Sequence, residues 1–264
     1  MKTRAGVVLL LLLAAFTVNA ATTPEEYFER ALHKADQLKL ETSALVELEN
    51  KGELDQAKAG TAEVLKSGLL ALHEDLEKAS EGGHTLAIYW LANLDAKFSM
   101  AEPERATYCE SLHRAVDQGL LAAGVAYYHQ CDRPYMRFDF QSPVHLKTMA
   151  DLKQLLLNTD SHKEAYPLLA LSSLCFQDVR AEIKEKKTLA NMQARTATML
   201  LTYDQYRAEA YYILASADMN DQSEPDHRNL TYLNQALALG CKDEMGLRDF
   251  YEKSFGAQAS NPKQ

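Results

Sequence analysis

The chain has little of what β-structure requires. Only nine valines and three isoleucines occur in 264 residues, together with eleven glycines and seven prolines. Strands draw on β-branched side chains and need turn residues between them, so an all-β fold is excluded. Basic residues are a minority, 28 against 37 acidic, and the net charge of −9 repels phosphate; no nucleic-acid partner is expected. The four cysteines form no Cys-x-x-Cys, which argues against a thioredoxin-like redox site and a zinc knuckle. His-Glu-x-x-His, Gly-x-Ser-x-Gly, a phosphate loop and a dinucleotide fingerprint are all missing, and no two of the eight histidines stand four apart. No catalytic residue, metal site or cofactor is therefore expected. Beyond the first twenty residues no run is apolar enough to span a bilayer.

What is present begins with an address. Lys2 and Arg4 precede an uncharged apolar run from Ala5 to Val18, which ends in Val18-Asn19-Ala20. A charged start, an apolar stretch and small residues at a cleavage site read as a secretory signal peptide, cut near Ala20. The run is too short for a membrane anchor, which needs about 20 residues. Loss of the two cations Lys2 and Arg4 takes the charge from −9 to −11. The expected product is periplasmic or secreted, in a compartment that permits disulfides.

The rest reads as helix. Thr23-Pro24-Glu25-Glu26 joins a capping threonine, a proline at the first helical position and a glutamate that reaches back to the cap. Ser142-Pro143 repeats half of that logic, and Ser161 with Glu164 and Ser223 with Asp226 have capping-box spacing. Apolar residues recur at three- and four-residue intervals, as in Leu65, Leu69, Leu72 and Leu76. One spacing repeats: Leu76-x-x-Ala79-x-x-x-Gly83, Leu112-x-x-Ala115-x-x-x-Gly119 and Leu233-x-x-Ala236-x-x-x-Gly240. Leucine fills the groove between helices, alanine permits close approach, and glycine ends the helix in a left-handed cap. Segments starting at 83, 119, 161 and 206 also align with one another, each expected to open a helix, as in Ala87-Ile-Tyr-Trp-Leu-Ala92 and Ala165-Tyr-Pro-Leu-Leu-Ala170.

Through Ala87-Ile-Tyr-Trp-Leu-Ala92, Leu112-His-Arg-Ala-Val-Asp-Gln-Gly119 and Ala208-Glu-Ala-Tyr-Tyr-Ile-Leu-Ala215 the chain resembles the Sel1-like repeat family, relatives of the tetratricopeptide repeats. The family's glycine-rich turn is replaced by Phe98-Ser-Met-Ala-Glu-Pro103, and Pro167 falls early in an expected helix, where it should kink or delay it. The resemblance implies an all-α fold, an α-solenoid of stacked antiparallel helix pairs. The expected organisation is a leader over 1–20, an N-terminal helical cap over 21–81 with a break near Asn50-Lys-Gly52, repeats over 82–256 and a tail over 257–264. A long helix is expected over 178–202, its Glu182–Lys187 charge run a solvated face.

Hairpin symmetry predicts one disulfide. Cys109 and Cys131 lie equidistant from the turn near Gly119, so they should meet side by side. Cys175, placed late in its helix, and Cys241, at the start of another, fall at opposite ends of a regular stack and are expected to stay unpaired.

The segment Asp132-Arg-Pro-Tyr-Met-Arg-Phe-Asp-Phe-Gln-Ser-Pro143 interrupts the repeat and concentrates aromatic and arginine side chains, which dominate binding hot spots. Tyr135, Arg137, Phe138 and Phe140 are the candidate protein-binding residues. Tyr128 and Tyr212 join them, as one of each adjacent tyrosine pair is expected to face a groove. The aromatics could equally fold back to plug the stack. The resemblance implies adaptor work on another protein, an envelope protein or a toxin that an immunity protein neutralises; the acidic charge would suit a basic partner. An envelope enzyme or carbohydrate-binding protein is the alternative. Its only motif is Cys109-Glu110-Ser111, a Glu-Ser pair like that of lytic transglycosylases, without the segment that builds their sugar cleft.

Overall fold

The computed structural model of the chain describes residues 22–98, 102–137, 139–176, 188–217 and 226–259. The expected leader, the Glu182–Lys187 charge run, Ser223 and Phe138 lie outside them.

Helix α1 (Pro24–Lys51) begins at the expected capping box. The Glu26 amide donates to Thr23 Oγ1 at 3.2 Å, and the Thr23 amide donates to the Glu26 carboxylate at 2.8 Å. Gly52, at φ 74°, ends it and turns the chain into α2 (Leu54–Glu81). The two long helices pack along each other, and their polar seam is clasped by Asp75. That carboxylate takes the guanidinium of Arg30 and, at 2.5 Å, the ammonium of Lys34. Burial works against its charge, but the two cations outweigh burial and hold its pKa below the usual range.

Then come α3 (Thr85–Phe98), α4 (Glu102–Asp117) and α5 (Leu121–Tyr127), and each packs on the helix before it. The repeated spacing is the structural unit that joins them. Leu76, Leu112 and Leu233 are buried, as are Ala79, Ala115 and Ala236. Burying a leucine is worth about 1.5–3 kcal/mol. Each alanine carbonyl accepts the amide of the residue after the glycine: His84 to Ala79, Leu120 to Ala115 and Cys241 to Ala236, at 3.0 to 3.1 Å. Gly83, Gly119 and Gly240 have φ of 87°, 86° and 89°, with open space where a Cβ would stand. Backbone conformation, rather than crowding, requires glycine there.

After α5 the chain tightens into a π-helical turn, Tyr128–Asp132, and a four-residue helix α6 (Pro134–Arg137). Helix α7 (Pro143–Leu157) opens with Ser142 Oγ accepting the His145 amide at 3.2 Å. Later come α8 (Leu189–Thr198), α9 (Tyr203–Ala215), α10 (His227–Ala238) and α11 (Leu247–Ala259). Helix α9 lies against α5, α7 and α10, so it links the two largest apolar clusters. Asp226 alone caps α10, its side chain accepting the Arg228 amide. The described chain is mostly helical.

Two expected helices are corrected. The segment from Ser161 does not open a helix: it makes a 3-10 turn at Lys163–Ala165, a cis Tyr166–Pro167 bond and a two-residue strand β1 (Leu168–Leu169). Strand β1 pairs antiparallel with β2 (Leu200–Leu201), Leu168 opposite Leu201, so the helix expected to reach 202 stops at Thr198. Pro167 has no amide to give a helix. Asp160 meanwhile satisfies the local donors otherwise, accepting the His162 amide at 2.7 Å and the Tyr166 hydroxyl at 2.8 Å.

Cys109 and Cys131 are joined, with Cα atoms 5.6 Å apart, as hairpin symmetry requires. Cys175 and Cys241 are joined too, at 4.5 Å, contrary to expectation. Cys175 is not on a helix: the irregular strand after β1 carries it to the end of α10, where the Lys242 amide donates to its carbonyl. The expectation failed because it assumed a regular stack at that point.

Candidate functional site

The segment from Tyr128 to Leu146 is held from several sides. Cys131 ties it to α4. Asp132, fully buried, meets His145 Nδ1 of α7 at 2.6 Å. Tyr135 and Phe140 pack edge to face at 5.4 Å, and Phe140 does the same with His145 at 5.7 Å. The Tyr135 hydroxyl points at Met245 Sδ, 3.9 Å away. Arg133 absorbs the turn at φ 47°.

These contacts sort the candidate binding residues. Tyr128 is 3% exposed and Tyr212 is fully buried, so neither faces a groove. Burial, with Tyr135 beside it, pushes the Tyr128 phenol well above its ordinary pKa. Burial does the same for Tyr212, whose hydroxyl donates to Asp243 at 2.7 Å and accepts the Met245 amide. Both belong to the core: Tyr212 lies on α9, which α5, α7 and α10 cover, and Tyr128 opens the π-helical turn that packs on α5 and α7. Tyr135 and Phe140 are half-buried and fold inward on His145 and Met245. Phe138 and the side chain of Arg137 lie outside the described residues.

The residues that the segment exposes include the polar Asp139 and Gln141 and three aliphatic side chains. Met136 is 68% exposed and Leu146 52%, with Val144 exposed between them in sequence. Sequence reasoning passed over these three because it looked for aromatic anchors. Val144 and Leu146 flank His145 on helix α7, each about 100° of turn from it, and no motif in the sequence marks them or Met136.

A second polar centre escaped the sequence reading. Glu209 of α9 is fully buried and accepts from Ser173 Oγ at 2.6 Å, from the Leu174 amide at 2.5 Å and from the Cys175 amide at 3.0 Å. His129 Nε2 completes the set at 3.0 Å. Every partner donates to the carboxylate, so the arrangement fastens residues 173–175 to α9.

The third feature is a cavity of about 240 Å³ between α2, α3, the β1–β2 ribbon and α8. Its walls are Leu72, Leu76, Trp90, Leu94, Leu169 and Leu200, with Tyr89 and Asn93 one helical turn apart. The Tyr89 hydroxyl donates to the Leu169 carbonyl at 2.6 Å and meets the Tyr206 hydroxyl at 2.9 Å. Asn93 is 4% exposed, and neither its Nδ2 nor its Oδ1 reaches hydrogen-bond geometry with any protein atom. A buried polar group left so costs about 1–3 kcal/mol.

Glu110 stands exposed on α4, away from this cavity. Among the described residues no group of three or more His, Cys, Asp or Glu side chains could hold a metal ion, and no helix is long and apolar enough to cross a membrane. Comparison with protein-family models, with curated proteins and with solved structures gives no match.

Proposed function

We propose that this chain is an exported binding protein of the Sel1-like kind, a solenoid of stacked helix pairs that works by holding another protein and not by catalysis. The three identical helix ends at Gly83, Gly119 and Gly240 and the packing of each helix from α1 to α5 on its predecessor support the repeat reading. The leader-like residues 1–20 and the two disulfides support export.

The observation that carries the binding role is the exposure of three aliphatic side chains, Met136, Val144 and Leu146, within one segment. Apolar side chains in water favour burial against a partner, and a surface already ordered by a disulfide, a buried ion pair and ring contacts loses little freedom on binding. The net charge of −9 favours a basic partner, such as a toxin that an immunity protein would neutralise.

The test is capture of the tagged chain from its own cell envelope, with identification of what co-purifies by mass spectrometry. One stoichiometric protein is expected, lost on Met136→Asp with Leu146→Asp while circular dichroism stays unchanged. Retention of the partner by that variant would reject this face. Recovery of glycan fragments in place of protein would reject protein binding and restore the envelope-ligand alternative.

A further inference from the structure

The cavity between α2, α3, the ribbon and α8 lies apart from the Met136 face. Its floor, made by Leu72, Leu76 and Tyr89, is buried. Its rim is not: Pro167, Thr196 and Leu200 line it and are exposed, so it opens to solvent between the ribbon and α8. Packed elements ordinarily close such a space, leaving few voids larger than a water molecule. Here polar ties outside the cavity set where its outer wall stands. Glu49 of α1 accepts the Leu189 and Ala190 amides at 3.1 and 3.2 Å, which fastens the start of α8. Gln193 of α8 also donates to Ser43 Oγ of α1 at 2.8 Å. Strand β1 is tied to α3 by the Tyr89 hydroxyl and to β2 by their pairing. A cavity whose walls are placed from outside is formed in advance of any ligand, as small-molecule sites usually are.

We infer that this cavity binds a small amphiphile, with an apolar body of about nine or ten carbon atoms seated against Trp90 and a polar end left at the mouth beside Pro167 and Leu200. Size sets the length of the body. A leucine-lined cavity of about 150 Å³ accepts benzene with its six carbons, and 240 Å³ scales that to about nine or ten. The interior sets the polarity. Leu72, Leu76, Leu94, Leu169 and Trp90 line it. The Tyr89 hydroxyl is engaged by the Leu169 carbonyl and by Tyr206. Both amide atoms of Asn93 are sealed within the wall, each with less than 1 Å² accessible. A hydroxyl drawn to the floor would therefore lose its bonds to water without replacement from these groups, whereas at the exposed rim it keeps them.

The experiment is titration of the purified chain with 1-hexanol, 1-octanol, 1-decanol and 1-dodecanol. Binding is read by the emission of Trp90, the sole tryptophan of the chain, and by backbone amide shifts. Binding should be saturable and tighten about fourfold per methylene as far as decanol, the worth of one buried methylene. Dodecanol should bind no more tightly than decanol, because its last carbons find no room. Leu94→Phe in α3 and Leu200→Phe in β2 each add about three carbons to the wall, so in these variants decanol should bind no more tightly than octanol. The wild-type series stands even if a variant fails to fold. The proposal would be overturned by the absence of saturable binding, by affinity that keeps rising to dodecanol as on an open surface, by an unchanged series in both variants, or by shifts confined to residues away from α3 and β2.

Discussion

The backbone amide of Cys175 donates to Glu209 Oε2 at 3.0 Å, so a buried carboxylate and a disulfide fasten the same residue. Ser173 and Leu174 donate to that carboxylate as well. An irregular strand with few helical bonds of its own is thereby held against α9.

Replacing Glu209 with Gln keeps its shape but turns one acceptor into a donor, which faces either the Leu174 amide in place of Oε1 or the Cys175 amide in place of Oε2. A loss of about 3 kcal/mol is expected in urea denaturation, because buried donors are left unpaired. His129→Ala should cost less, about 1 kcal/mol, since it removes one of four donors. A loss below that for Glu209→Gln would mean that the disulfide alone holds the strand.

The two disulfides should differ in worth. Cys109 and Cys131 are 22 residues apart, and Cys175 and Cys241 are 66 apart. Loop-closure entropy gives about 3 kcal/mol for the first and about 4 kcal/mol for the second. Paired serine variants, compared by denaturation midpoint, check that order. The reverse order would show that the unfolded chain is far from random over the longer loop.

The repeated glycines offer a matched set. Gly119→Ala and Gly240→Ala should each cost about 1–2 kcal/mol, because φ near 90° strains a side chain even in open space. Gly60→Ala, in the interior of α2 with equally open surroundings, should instead stabilise by about 0.5–1 kcal/mol. Thermal melts of the three variants separate conformation from crowding.

The tyrosines around the cavity predict alkaline sensitivity. Burial pushes the Tyr89 phenol up to about 12, against the lowering influence of the Tyr206 hydrogen bond, and holds Tyr206 well above its ordinary value. An unfolded phenol ionises near pH ~10. The folded chain therefore keeps protons that the unfolded chain has lost, so the stability these groups contribute is full below about pH 10 and falls as pH rises toward 12. Urea midpoints should decline over that range, and Tyr206→Phe should shallow the decline. A midpoint independent of pH would contradict the burial of these rings.

Local chemistry was the legible part. Thr23 with Glu26, and Leu, Ala and Gly at one spacing, declare helix ends through bonds only a few residues long, and these stand where the pattern puts them. Cys109–Cys131 follows from the same local hairpin. The misreading at 161–170 arose because Ala165-Tyr-Pro-Leu-Leu-Ala170 imitates the helical Ala87-Ile-Tyr-Trp-Leu-Ala92. Pro167 was the signal, and it deserved to end the helix, not delay it. Glu209, within Ala-Glu-Ala, looks like any solvent-facing helix carboxylate until residues 173–175 arrive from elsewhere in the chain. Asn93 is the same kind of case, since burial on α3 depends on the ribbon formed by residues far downstream.

The Cys175–Cys241 bond turns 67 consecutive residues into a covalent ring that takes in α8, β2, α9 and α10. A protease that severs one peptide bond inside that ring releases nothing: both strands remain tethered, and their reunion is first order, independent of how dilute the protein becomes. Wherever lost fragments would diffuse away and go unreplaced, such a tether keeps both halves of a cut chain together.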